Sequence, residues 1–183
     1  MTKSSNTFPI HRLALRVREL AQLFNSMDPS PFLNKDIDPE AENFIETWAL
    51  GFSPESRFHI TIHIEQWPSD GDPHELLTGA IHNHFSLKAE RTRTVLKNLL
   101  QQGRISLVIG LFFVILCLLG ADLIGNAGNN TGITIARESL TIVGWVAMWR
   151  PLQIFLYDWW PPLRQIRLYK QLSIAHIQVI QGK

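Results

Sequence analysis

Hydrophobic residues are unevenly distributed along the chain, and their pattern points first to a membrane. They are mixed with polar residues over the first 100 positions, whereas the stretch from Ile105 to Trp160 is mostly apolar. No charged residue occurs between Ile105 and Ala121. Extended to Ile124, this segment of 20 residues would form a helix of roughly 30 Å, which matches the hydrocarbon core of a bilayer. We therefore predict a first transmembrane helix at 104–124 rather than a buried helix of a soluble protein.

A second apolar segment follows the glycine-rich loop at 125–132. Its uncharged centre, Ser139–Trp149, would be roughly 17 Å long as a helix, which is too short to cross a bilayer alone. We predict a second transmembrane helix at 133–157, which places Arg150 inside the span. There the guanidinium must reach the interface, form a pair or line a wet cavity, and Pro151 would kink the helix. In the alternative reading the span ends near residue 149, and Arg150 marks its boundary.

Aromatic and charged residues occur at the ends of the two predicted spans. Four aromatic residues are expected to be interfacial anchors, because such rings are buried while their polar tips stay wet: Trp149, Tyr157, Trp159 and Trp160. Four charged residues are expected within the membrane or at its interface: Arg150, Asp158, Asp122 and Arg137. Asp122 and Arg137 flank the loop, and we hypothesise that they pair across the hairpin. We interpret Arg150 and Asp158 as helix anchors in preference to an ion path.

The basic residues around the spans predict the orientation. The connecting segment offers only Arg137, beside Glu138, whereas seven basic residues flank the other ends of the spans: Arg91, Arg93, Lys97 and Arg104 before the first, and Arg164, Arg167 and Lys170 after the second. Both termini are therefore expected in the cytoplasm, with the loop at 125–132 outside. The expected domains are a cytoplasmic α+β domain at 1–100, whose long helix begins near residue 73, and a cytoplasmic interfacial segment with a C-terminal strand at 158–183.

Two segments have the pattern of β-strands. From Arg57 to Trp67 apolar and polar residues alternate, which predicts a strand at 58–66 with its isoleucines on one face. The segment 173–181 is rich in β-branched residues and predicts a second strand. If the two strands pair, both ends of the chain build one small α+β domain.

Helical patterns occupy the rest of the first half. Apolar residues recur at helical spacing from Ile10 to about Met27, so we expect an amphipathic helix there, packed on its own domain or lying on a membrane surface. Asp38, followed by a proline, is a favourable helix start, and Gly51 would end that helix. From Pro73 a helical stripe continues without a proline into the first apolar segment.

Composition and charge exclude several classes of function. The chain has 183 residues, with 17 Lys and Arg against 16 Asp and Glu. This balance gives no reason to expect nucleic-acid binding, which needs a clustered basic face. Its single cysteine, Cys117, cannot form an internal disulfide or a cysteine-based metal site.

Metal, cofactor and catalytic motifs are not found in the sequence. His59 and His63 share a strand face but would lie roughly 13 Å apart, which is too far to share a zinc ion. The acidic residues at 36–42 lack the spacing of a calcium loop, and we interpret them as a solvated helix start. No phosphate-binding glycine loop, zinc-protease motif or nucleophile elbow occurs. We therefore expect no metal, no cofactor and no enzymatic activity.

Three segments carry a resemblance to other proteins: DPSPFLNKDIDPEAENFIETWA, GRISLVIGLFFVILCLL and GWVAMWRPLQIFLYDWWPP. The pattern resembles a group of small bacterial membrane proteins with two spans, and it covers most of the chain from Asp28 to Ile180. The resemblance implies a bacterial inner-membrane protein. It implies no activity, so no functional residue is carried over.

The sequence therefore predicts an α-helical membrane hairpin of two transmembrane helices with a small cytoplasmic α+β domain. The favoured function is that of an accessory or scaffold protein, which presents this domain for protein–protein interaction or oligomerisation. A homo-oligomeric channel or transport component is the alternative, and a membrane-bound enzyme is the third reading. The expected partners are the lipid bilayer and either further copies of the chain or a larger membrane protein.

Overall fold

The computed structural model describes residues 9–25, 36–53, 55–67, 73–126, 128 and 130–182. The described chain is mostly helical, with two long apolar helices and a small parallel sheet of three strands. It forms two compact units, which we name the α/β unit (residues 1–92 and 164–183) and the helical unit (residues 93–163). Residues 127 and 129 of the predicted loop at 125–132 lie outside the described part.

The elements follow one another in mixed order along the chain. The strands are β1 (Ile10–Val17), β2 (Arg57–Ile64) and β3 (His176–Gln181). The helices are α1 (Pro39–Leu50), α2 (Pro73–Asn126), α3 (Thr131–Ala147), α4 (Trp149–Gln153) and α5 (Trp160–Leu172). A 3₁₀ turn spans Leu20–Leu23, and a π-helical turn, Ile154–Asp158, joins α4 to α5.

The sheet has β2 at its centre, with β1 and β3 parallel to it on either side. The two predicted strands are confirmed, although β3 begins at His176 rather than at residue 173, and they pair directly, as we had considered. The predicted helix from Ile10 is wrong, because residues 10–17 form β1. Leu13, Leu15 and Val17 alternate toward the core, so the segment satisfies a strand period as well as the helical one that we had recognised.

The core of the α/β unit lies on one face of the sheet. Phe58, Ile60, Ile62 and Ile64 of β2 are almost completely buried, and Leu13 and Ile177 flank Ile60 in register. Three helices contribute the other core residues: Ile45 and Ala49 from α1, Leu77, Ala80, Ile81, Phe85 and Ala89 from α2, and Leu168, Tyr169 and Leu172 from α5. The helices therefore cover the apolar face, as the alternation of β2 requires.

A local signal starts the first helix, and a long-range hydrogen bond joins α2 to the start of the last strand. The Asp38 carboxylate accepts hydrogen bonds from the backbone N–H groups of Glu40 and Ala41, which confirms the predicted start of α1. His82 Nε2 lies 2.8 Å from the carbonyl oxygen of Ala175, just before β3. Because a carbonyl only accepts, this bond requires the proton on Nε2 and connects α2 to the third strand.

Two helical stretches are long and apolar enough to cross a membrane. They are Pro73–Asn126, with 54 residues, and Thr131–Leu172, with 42 residues. Only 22% and 17% of their most apolar 18-residue windows are buried. Large apolar side chains such as Val108, Phe112 and Trp145 are more than half exposed.

Small residues bring α2 and α3 close together within the helical unit. A Cβ atom built on Gly110 would lie 3.1 Å from the carbonyl oxygen of Ala147, and one built on Gly120 would lie 2.9 Å from a methyl group of Leu140. Carbon atoms in contact normally lie about 3.5–4.0 Å apart. The buried positions of α2 here are Gly103, Gly110, Val114, Cys117 and Ala121, at steps of seven, four, three and four residues. This is the spacing of a close-packed helix pair.

Candidate functional site: the open face of the sheet

The described residues leave the second face of the sheet open. Parallel sheets ordinarily have both faces covered, because the connections between their strands are helices that pack on either side. Here α1, α2 and α5 supply core residues to a single face. The opposite face, which carries the polar positions of β2, is therefore the candidate functional surface.

Strand register arranges the side chains of this face in three rows, and we name them together the open face. The first row is Arg12, His59 and His176; the second is Ala14, Thr61 and Gln178; the third is Arg16, His63 and Ile180. The rows contain no carboxylate, so this surface is basic.

A hollow of about 290 Å³ lies where β2 and β3 begin, and we name it the strand-start hollow. Its lining residues are Arg57, Phe58, His59, Gln171, Ile174 and His176. The rings of His59 and His176 stack, with centroids 4.9 Å apart and planes inclined by 26°. Burial, followed by the positive charges of His176 and Arg12, lowers the pKa of His59 below its ordinary value of 6.5.

A second charged group connects α1 to α2 and α5. The Lys88 ammonium donates hydrogen bonds to the carboxylates of Glu42 and Glu46 and lies 5.1 Å from the centroid of the Tyr169 ring. Burial alone would lower the pKa of Lys88, but its bonds to the two carboxylates outweigh burial and raise it above 10.5. Burial would likewise raise the pKa of Glu42, but the hydrogen bond and charge of Lys88 lower it below 4.5.

His84 extends this charged group. Its Nδ1 lies 3.4 Å from Asp36 Oδ1, and its Nε2 lies 3.4 Å from Glu42 Oε1. The acidic residues at the start of α1 are thus more than the solvated helix start that we expected, because two of them face α2. The hydrogen bonds of this group run from Lys88 to Glu42 and Glu46, which indicates that they hold α1 against α2.

The structure pairs two of the four predicted charged residues. Arg150 Nη1 lies 3.7 Å from Asp158 Oδ2, so the guanidinium in α4 and the carboxylate at the end of the π-helical turn form an ion pair. No ion pair joins Asp122 to Arg137 among the described residues, and both side chains are exposed. Arg137 lies against Gly125 and helps to line a hollow of about 420 Å³ near the start of α3.

The predicted aromatic anchors surround this ion pair along the chain. Trp149, Tyr157 and Trp160 are 71%, 69% and 65% exposed, and the Trp159 and Trp160 rings stack with centroids 6.3 Å apart. Trp149 and Tyr157 also line a mainly apolar hollow of about 400 Å³. Their assignment as interfacial anchors stays a prediction.

Several residues of the open face were missed by the sequence analysis. Arg12 was assigned to a helix, and His176 was not considered as a neighbour of His59 although pairing of their strands was expected. A parallel register centred on β2 would have placed all three in one row. Tertiary packing alone reveals the contribution of Gln171, because α5 is remote from β2 in sequence.

Metal coordination and known relatives give no further assignment. Within the described ranges, no group of three or more His, Cys, Asp or Glu side chains is arranged to hold a metal ion. Searches with protein-family models, curated proteins and solved structures find no significant match to this chain.

Proposed function

We propose that this protein is a membrane-anchored scaffold of the bacterial inner membrane. In this proposal α2 and α3 form a hairpin in the bilayer, and the α/β unit presents its open face to an acidic surface of a protein partner, either a further copy of the chain or a larger membrane protein. The single observation that carries the proposal is the basic face of an all-parallel sheet, which the described residues leave uncovered.

The membrane part of the proposal is supported by exposure as well as by composition. Core helices of soluble proteins are mostly buried, whereas the apolar windows here are largely exposed. Glycines let the backbones of α2 and α3 approach closely, which favours helix association in lipid. Lipid around the hairpin would cover its remaining apolar surface.

The orientation rests on the basic residues at the ends of the spans. Arg104 precedes the most apolar part of α2, and Arg164, Arg167 and Lys170 lie in α5, whereas Arg137 is the only basic residue of the connecting segment. We therefore place both termini in the cytoplasm. A reporter enzyme that is active only in the cytoplasm, fused after Lys183, should be active; activity of a periplasmic reporter at the same position would refute this orientation.

The mass of the intact assembly tests the scaffold proposal. Full-length protein extracted with its native lipids into nanodiscs should give a protein mass well above the 20.9 kDa of one chain. If the mass above that of one chain is a multiple of 20.9 kDa, the partner is further copies of this chain. Any other constant excess would indicate one other protein. A single unaccompanied chain would refute the proposal.

A matched pair of substitutions locates the docking surface. Thr61→Glu introduces a negative charge in the middle row of the open face and should dissociate the assembly, because an acidic partner would meet a like charge. Thr47→Glu makes the same change at an exposed position of α1 and should leave the mass unchanged. Equal masses for Thr61→Glu and the wild type would show that the open face is not the interface.

The structure gives the transport alternative less support. The glycines that bring α2 and α3 together leave no room for a path between the two helices at the positions where they meet. Arg150 is engaged with Asp158. A channel would therefore have to form between several copies.

A further inference from the structure

We propose that the strand-start hollow binds a phosphate group, which Arg57, His59 and His176 would hold together with the Gln171 amide. The site goes beyond the scaffold function, since it would take a small ligand and requires neither a protein partner nor a membrane. The hollow holds about 290 Å³, which is sufficient for a phosphate monoester head.

The lining of the hollow has the chemistry of an anion site. The Arg57 guanidinium presents a planar set of N–H donors that matches phosphate oxygens, and both imidazoles donate when protonated. Gln171 adds a neutral amide donor, and no carboxylate is among the lining residues. The two apolar members, Phe58 and Ile174, complete a wall of the hollow without competing for the anion.

Electrostatic repulsion within the hollow also favours an anion. On the sheet, His59 is faced by Arg12 from β1 and by His176 from β3, with Arg57 and His63 on its own strand, while Gln171 approaches from α5. All of these groups are neutral or positive, and the pKa of His59 is lowered by burial, by His176 and by Arg12. A bound dianion would offset these two charge effects and favour protonation of His59.

A divalent metal ion fits the same residues poorly. The stacked histidines supply two nitrogen ligands, but a cation would also face the positive charges of Arg12 and Arg57. Within the described residues no third histidine, cysteine or carboxylate completes a metal site here. Zinc coordination ordinarily uses at least three protein ligands.

Two sources could supply this chemistry, namely a soluble phosphate ester and the phosphomonoester headgroup of a lipid. The shared element is a phosphoryl group with two negative charges. The experiment therefore has one arm in neutral micelles with inorganic phosphate and one arm in nanodiscs with phosphatidic acid.

The first arm measures the histidine titrations of the full chain by NMR, with His59 and His176 assigned from His59→Gln and His176→Gln. Saturating phosphate should raise the pKa of His59 by about one unit. Inorganic sulfate, which stays a dianion from pH 7.5 to pH 6, should bind several-fold more tightly at the lower pH because binding takes up protons.

Charge-matched variants separate the site from general basicity. Arg57→Gln should weaken phosphate binding about tenfold, because it removes a charge-assisted contact. Arg167→Gln removes the same charge from an exposed position of α5 and should leave the affinity unchanged. The dispersed amide signals of β2 report that each variant is folded. Equal losses for the two variants would refute the site.

The second arm identifies the source of the phosphate group. In nanodiscs of phosphatidylcholine, addition of phosphatidic acid should shift the His59 titration if the ligand is a lipid headgroup. A shift with soluble phosphate but none with phosphatidic acid would assign the hollow to a soluble ester. No shift in either arm, or tighter binding of zinc than of phosphate, would overturn the proposal.

Discussion

Gly144 of α3 faces Cys117 of α2 so closely that a Cβ atom built on the glycine would lie 3.0 Å from the Cβ of the cysteine. The Cβ atom of Cys117 therefore occupies the space that a larger side chain at position 144 would need. Cys117 is only 4% exposed. The contact makes the native cysteine a reporter of hairpin packing, because separation of the helices would expose the thiol.

The glycine contacts predict a position-dependent effect of Gly→Ala substitutions. At Gly110 and Gly144 the added methyl group meets the opposite helix, and overpacking should cost about 1–3 kcal/mol. At Gly132 the nearest atom lies 3.6 Å from the built Cβ, so alanine should be neutral or stabilising by up to about 1 kcal/mol. The measurement is a titration of the protein with SDS in mixed micelles. Its midpoint is the mole fraction of SDS at which half of Cys117 reacts with a membrane-permeant thiol reagent. Equal midpoints for the three variants would contradict the close packing.

The charged group around Lys88 predicts a selective loss of stability. Lys88→Met leaves the partly buried carboxylates of Glu42 and Glu46 without their cation, which should lower the free energy of unfolding by about 1–3 kcal/mol. Lys170→Met removes an exposed ammonium from α5 and should change it by less than about 0.5 kcal/mol. Hydrogen exchange of the β2 amides measures the free energy of unfolding of both variants. A Lys88→Met protein as stable as the Lys170→Met control would show that the group contributes nothing.

The same group predicts how stability depends on pH. Because the pKa of folded Glu42 lies below 4.5, its contribution is fully present above that value and is lost as the pH falls through the lowered pKa. The raised pKa of Lys88 keeps its contribution present up to at least pH 10.5. The stability difference between wild type and Lys88→Met should therefore be constant near neutral pH and shrink below about pH 4.5. A difference that widens on acidification would contradict the assigned pKa directions.

The ion pair between Arg150 and Asp158 predicts coupled substitutions. Arg150→Gln and Asp158→Asn should each weaken the hairpin, and the double variant should lose less than the sum of the single losses by about 0.5–1 kcal/mol. The midpoint of unfolding in SDS, followed by the reactivity of Cys117, again measures the stability of the hairpin. Strict additivity would mean that the two charges do not interact in the micelle.

The sequence predicted the elements whose periodicity is unambiguous. β2 alternates strictly, and α1 has both an N-cap and a terminal glycine, so their existence and bounds were accessible. In β1, by contrast, Leu13 and Val17 satisfy both a strand and a helix. The apolar residues Ile10 and Ala14 also point to the open face, which weakens the alternation. The helical period therefore competes with the strand period in this segment.

The open face and the Lys88 group were only partly accessible from sequence. Each strand can be recognised alone, but the row of Arg12, His59 and His176 exists only once both neighbours of β2 are known. Lys88 and Glu42 belong to different helices, and nothing in their local sequence indicates that they meet. Long-range pairings of this kind depend on the tertiary fold.

The central position of β2 has a consequence for biosynthesis. Its second neighbour, β3, leaves the ribosome only after α2, α3, α4 and α5 have all been made. Until then one edge of β2 has no partner strand, and the isoleucines of its apolar face lack the cover that α5 provides. Nascent chains interrupted before His176 would therefore present an unpaired, apolar strand to proteases and chaperones.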